Sequence, residues 1–155
     1  MKFNDVLENV TTYEAGKPIE LVVREYGVKP ENVVKLASNE NPYGTSPKVV
    51  AKIQELAKNM FVYPDDSMYE LKDALANKFK VNKENVIIGS GSDQILEYCV
   101  HAKCEKGSKI LMAKTTFAMY EIYGRQTGAT IIKTEDDQHN LEQFSKLYKE
   151  HGADV

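Results

Sequence analysis

Gly89-Ser90-Gly91-Ser92-Asp93-Gln94 is the densest group of residues in the chain able to do chemistry. Two glycines permit a turn that a Cβ would resist, and Ser92 stands where a helix should begin. The first N–H groups of a helix lack intrahelical partners, and the macrodipole adds about half a positive charge there. A glycine turn of this form can therefore hold a phosphate on backbone amides. It is not a dinucleotide fingerprint, because Gln94 takes the place of the third glycine in G-x-G-x-x-G, and it is not a P-loop, because no G-K-[ST] follows. The bland alternative is a plain chain reversal, which many α/β domains make with the same letters.

The turn needs a strand before it and a helix after it. Val86-Ile87-Ile88 reads as a short buried strand, and Ile95, Leu96, Cys99 and Val100 recur at the spacing of one helical face. Upstream, Pro18 suits a first helical turn, Val22, Val23 and Tyr26 supply its apolar side, and Gly27 ends it. This arm and ante-helix have little to pack on by themselves. Val33 to Ala37 reads as a strand that delivers the polar loop Asn39-Glu40-Asn41-Pro42-Tyr43-Gly44. Ser46-Pro47 opens a helix carrying Val49, Val50, Ile53, Leu56, Ala57 and Met60. Residues 61–66 run extended into Pro64. Ser67 and Glu70 have the capping-box spacing, with Met68, Leu71, Leu75 and Phe79 on the face that follows. Strands at 108–112 and 129–133, a helix over 117–126 and a last helix through Leu141, Phe144, Leu147 and Tyr148 complete an alternating pattern. That alternation predicts an α/β fold with a mostly parallel sheet covered by helices.

With 155 residues, 42% hydrophobic and 28% charged, the chain has the composition of an ordinary globular domain with a real core. Its net charge of −3, without a dense basic run, disfavours nucleic acid and anionic lipid as partners. Lys2, Asp5 and Glu8 interrupt the N-terminus, no run approaches membrane-spanning length, and a cytoplasmic protein is expected. Cys99 and Cys104 lie five apart on what reads as one helix, roughly 7.5 Å by axial rise, too far for a disulfide. His101, His139 and His151 show no ligand spacing, so no metal site is expected.

Five landmarks in order carry a resemblance: Asn9-Val10-Thr11-Thr12-Tyr13, Leu36 to Gly44, Tyr63-Pro64-Asp65, Gly89 to Gln94, and Thr116-Phe117-Ala118-Met119-Tyr120. Together they resemble the histidinol-phosphate aminotransferase family, pyridoxal-phosphate enzymes of fold type I. The resemblance covers the chain from near the N-terminus to its last residue, with Ser90 where Asn is common and Gln94 where Glu is common. It implies that 46–155 form the N-terminal part of the cofactor-binding large domain, and that 1–45 are an arm and the start of a small-domain segment. By the same resemblance Gly91, Ser92 and Asp93 hold the phosphate of pyridoxal 5'-phosphate, Phe117 lies on the pyridine ring, and Tyr63 reaches the phosphate in a neighbouring subunit of a homodimer. Tyr13, Asn39, Glu40 and Asn41 border the substrate pocket.

The reaction implied is transamination between L-histidinol phosphate and 2-oxoglutarate, or glutamate in reverse, in histidine biosynthesis. A sister activity on aromatic amino acids, a threonine-phosphate decarboxylase-like enzyme, or a non-catalytic phosphate-binding α/β module are the alternatives. No lysine here matches the residue that holds the cofactor as a Schiff base, and the acid beside the pyridine nitrogen also has no match. The chain is accordingly expected to be roughly the N-terminal two-fifths of an aminotransferase, inactive alone. An uncovered sheet edge is expected to make it poorly soluble.

Overall fold

In chain order the helices are α1 (Ile19–Tyr26), α2 (Pro47–Leu56), α3 (Tyr69–Phe79), α4 (Gly91–Lys103), α5 (Met119–Thr127) and α6 (Leu141–His151), with strands β1 (Lys109–Met112) and β2 (Thr130–Lys133) on either side of α5. The structure, a computed structural model, describes residues 3–155, so Lys2 lies outside the described residues. The chain forms two units, Met1–Tyr13 with Glu70–Val155, and Glu14–Tyr69.

In the first unit β1 and β2 pair in parallel, from Lys109 opposite Thr130 to Met112 opposite Lys133. Parallel strands need a crossover, and α5 is that crossover. The core gathers Val100 and Cys104 from the end of α4, Ile110 of β1, Tyr123 of α5 and Ala129, with Leu96, Met119 and Ile131 packed on it. Gly124 lets α5 lie close on the sheet: a Cβ there would meet Ile110 Cδ1 at 2.7 Å and Ile131 Cδ1 at 2.8 Å. Gly128, with φ of 79°, ends α5 in the left-handed region and turns the chain into β2. Glu121 of α5 pairs with Lys133 of β2 and with Arg125, 2.7 Å away, so helix and strand are also joined by charge. On the other edge of β1 the Leu111 amide donates to Val155 O at 2.9 Å and the Asp154 amide to Lys109 O at 2.9 Å. Buried Thr134 accepts from the Lys114 amide at 3.0 Å, closing the far end of the sheet.

In the second unit α1 follows Pro18 and stops at Gly27, φ 64°, as its sequence predicts. Lys17 and Glu25 pair across it at 2.8 Å. Ser46 and Pro47 start α2, although the Ser46 side chain makes no capping bond. Past Leu56 the expected face continues in a 3-10 turn, Ala57–Asn59.

Several expectations are corrected. The sheet is parallel but has two strands among the described residues, because Val33–Ala37 and Val86–Ile88 find no strand to pair with. Both runs are entered in extended backbone, φ −98° and ψ 121° at Val33 and φ −107° and ψ 116° at Val86. Val34, Leu36 and Ile87 are exposed instead of buried. A β-branched run favours extension, yet a strand exists only where a neighbour completes the ladder. Helix α3 starts at Tyr69 and not at Ser67, and ahead of it the Asp65 carboxylate accepts from the amides of Ser67 at 3.0 Å and Tyr69 at 3.3 Å and from the Ser67 hydroxyl. Those bonds, the Ser67 hydroxyl first, hold the Asp65 carboxyl below the usual aspartate range. Helix α5 starts at Met119, leaving Phe117 before it. Cys104 lies past the end of α4 in extended backbone, buried, whereas Cys99 is exposed on the helix.

Candidate functional site

Helix α4 begins at Gly91, so Ser90 is its N-cap and Ser92 is already the second helical residue, a correction to the start read from sequence. Ser90 has φ −72° and ψ 72°, and the Gly91 amide donates to Gly89 O at 2.8 Å. This is an inverse γ-turn. The Ser90 amide donates to Gln94 Oε1 at 2.7 Å. Two of the four consecutive amides are thus held by the chain itself. Among the described residues the amides of Ser92 and Asp93 make no hydrogen bond, and both residues are exposed. Gly91 has φ 75°, and a Cβ built there would meet nothing within 4 Å. Gly91 therefore shapes the turn and keeps it open, while Ser92 and Asp93 present N–H groups at the positive end of a 13-residue helix. Such a mouth binds an anion.

Tyr123 anchors the other side of that first turn. Its hydroxyl lies within electrostatic reach of the Asp93 carboxylate, and its ring meets His101 edge-on with centroids 6.4 Å apart. Burial, and then the Asp93 carboxylate, push the Tyr123 pKa up, so the phenol keeps its proton. The residue supplying one outward amide is thereby linked electrostatically to α5. Phe117 stands two residues before α5, its carbonyl accepting from Tyr120 N at 3.3 Å. Its ring is 45% exposed and meets Tyr13 edge-on, centroids 6.2 Å apart at 83°. An edge-on partner fixes the plane of a ring while leaving its face for a flat ligand.

In the second unit Asn41 is committed to its own loop, donating to Gly44 O at 2.9 Å and accepting from the Tyr43 amide at 3.0 Å. Glu40 pairs with Lys35 at 2.9 Å and Asn39 is exposed. Tyr63 is 99% exposed. Within the first unit the structure brings Tyr13 to Phe117, and Asp93 to Tyr123. Tyr123 was not among the residues read from sequence, since its helical spacing reads only as core; Gln94 was named in the turn but without a role, although an acceptor side chain four residues past Ser90 is a signal for one. Among the described residues no group of three or more His, Cys, Asp or Glu could hold a metal ion, and no helix is long and apolar enough to cross a membrane.

Residues 31–155 match the family described as aminotransferase class I and II. The chain belongs to that family. This aminotransferase chain is 76% identical over 155 residues to the histidinol-phosphate aminotransferase of Aliarcobacter butzleri, covering all of this chain and 42% of that protein. It is 62% identical to the enzyme of the same name from Wolinella succinogenes, again over the whole chain and 42% of the relative. The chain thus spans under half the length of the curated relatives it matches. Among solved structures it is similar to histidinol-phosphate aminotransferase from Sinorhizobium meliloti, a protein crystallised in complex with pyridoxal-5'-phosphate. The TM-score is 0.80 at 22% identity, covering 98% of this chain and 40% of that one. That likeness shows the fold: the aminotransferase chain is folded as the N-terminal part of a fold type I pyridoxal-phosphate transferase.

Proposed function

We propose that the outward amides of Ser92 and Asp93 hold the phosphate of pyridoxal 5'-phosphate, and that the complete protein transfers an amino group between L-histidinol phosphate and 2-oxoglutarate in histidine biosynthesis. The observation that carries the cofactor assignment is the turn itself, with two amides retained by Gly89 and Gln94 and the next two, on exposed residues, not hydrogen-bonded within the described chain. The half-exposed face of Phe117 and the open space at Gly91 fit a flat phosphorylated ring. The names of the curated relatives favour histidinol phosphate over the aromatic and threonine-phosphate alternatives.

Bound pyridoxal phosphate supplies an electron sink for the charge left when a proton leaves the amino carbon of the substrate. This chain's residues do the binding and orienting. Ser92 and Asp93 donate to the phosphate, Phe117 covers one face of the ring, and Tyr13 keeps Phe117 upright. Tyr63, fully exposed, reaches the phosphate of the neighbouring subunit in a homodimer. Asn39, Glu40 and Asn41, with Tyr13, border the substrate, the Asn41 turn setting the loop's shape. Residues 46–155 belong to the large domain and 1–45 to the arm and small-domain segment. The enzyme works in the cytoplasm. No lysine among the 155 residues matches the Schiff-base position, so these residues taken alone are inactive.

The test is a transamination assay on the complete protein loaded with pyridoxal phosphate, with histidinol phosphate, phenylalanine and threonine phosphate as competing donors to 2-oxoglutarate. The highest kcat/KM belongs to histidinol phosphate. A preference of tenfold or more for another donor would contradict the substrate assignment.

A further inference from the structure

Resting on the assignment of the turn to the cofactor phosphate, we propose that Gln94 is a positioning residue: its side-chain carbonyl latches the Ser90 amide and so holds the Ser92 and Asp93 amides in their outward pose. The latch is short, 2.7 Å from Ser90 N to Gln94 Oε1, and the Gln94 side chain is half-buried. It closes the base of the turn from the helix side, while the Gly91 amide closes it from the side of the preceding segment at 2.8 Å to Gly89 O. Without the Gln94 carbonyl, the Ser90 N–H loses its acceptor, and only the Gly91 amide bond to Gly89 O opposes rotation about Ser90 toward helical backbone. That rotation would swing the next amides away from their common direction.

Gly89 gives independent support. It does not lie at positive φ, so it is not needed for backbone freedom. It is needed for space: a Cβ there would stand 3.2 Å from Gln94 Oε1, 3.3 Å from Gln94 Cβ and 3.1 Å from Ile95 Cδ1. The first glycine of the turn therefore makes room for the latch, and the second, Gly91, makes the turn.

The experiment compares pyridoxal phosphate with pyridoxal, which lacks the phosphate, binding to the complete apoenzyme by fluorescence titration. The variants are Gln94→Leu, Gln94→Glu and Gly89→Ala, with thermal unfolding of each apoprotein alongside. Gln94→Leu removes the acceptor and leaves an apolar side chain one carbon shorter, and should weaken pyridoxal phosphate about tenfold, the scale of one lost hydrogen bond, with pyridoxal changed less than about twofold. Gln94→Glu keeps an acceptor and should stay within about threefold of wild type. Gly89→Ala should follow Gln94→Leu. Unchanged pyridoxal phosphate affinity in both Gln94→Leu and Gly89→Ala overturns the latch, as does an equal loss for both ligands. If wild type itself binds the two ligands alike, the assignment of the turn to the phosphate fails, and the latch fails with it.

Discussion

Replacing Phe117 by leucine removes the ring face offered to a flat cofactor and the edge-on partner of Tyr13. Aromatic contacts of this kind are worth about 0.5–1.5 kcal/mol beyond burial, so the complete enzyme should bind pyridoxal phosphate roughly 2- to 10-fold more weakly, while Phe117→Tyr keeps wild-type affinity. A fluorescence titration that finds Phe117→Leu unchanged would place the coenzyme elsewhere. The phosphate turn was legible at this scale because glycine spacing and a following helical face are local signals. The division of labour within it was not. Gly91 shapes the turn while its own amide is spent on Gly89, and which amides remain outward depends on a side chain, Gln94, folding back on the backbone. Tyr123 was hidden for a related reason, since it and the Asp93 carboxylate that acts on it are thirty positions apart in the chain.

Between elements, the contact of α5 with the sheet is set by Gly124. Alanine there would press its Cβ on Ile110 and Ile131, and overpacking of this sort costs about 1–3 kcal/mol, more than the helix-propensity gain of up to about 1 kcal/mol. Gly124→Ala should lower the denaturation midpoint, and adding Ile110→Val, which deletes one obstructing methyl, should cost less than the two single changes summed. Strict additivity in urea unfolding would contradict the packing account. The Glu121 link between α5 and β2 gives a pH signature. The Lys133 hydrogen bond, opposed by burial and helped by Arg125, holds the Glu121 carboxyl below its ordinary value of 4.5. A depressed carboxylate stabilises the fold above its unfolded-state pKa, and the contribution is lost as pH falls through the folded value. Glu121→Gln should therefore be about 1 kcal/mol less stable than wild type at pH 7, with the difference vanishing well below pH 4. A difference that stays constant with pH would rule out the ion pair as its source. Helices were readable here because an apolar face and its caps lie within one segment. The strands at 33–37 and 86–88 were not, because extended propensity says nothing of whether a neighbour is present, and the Asp65 bonds to the Ser67 and Tyr69 amides do not show in a capping-box spacing.

For the molecule as a whole, apolar side chains remain uncovered where Val49, Ile53 and Leu56 of α2 line a groove with Met60, just past the turn that follows, and at Ile87. Surfaces of that kind drive association. The 155-residue chain on its own should show concentration-dependent self-association in sedimentation velocity, and a single monomeric species across a hundredfold concentration range would contradict this. The fold class was readable from the alternation of elements, and the family from five landmarks; the small size of the sheet was not, since strand number depends on pairing across the molecule. The most direct measurement of the central claim is a crystal structure of the complete protein with pyridoxal phosphate. The phosphate oxygens should lie about 2.7–3.2 Å from the Ser92 and Asp93 amide nitrogens, with the Phe117 ring on the pyridine face. A phosphate bound elsewhere, with those two amides facing water or another protein group, would contradict it.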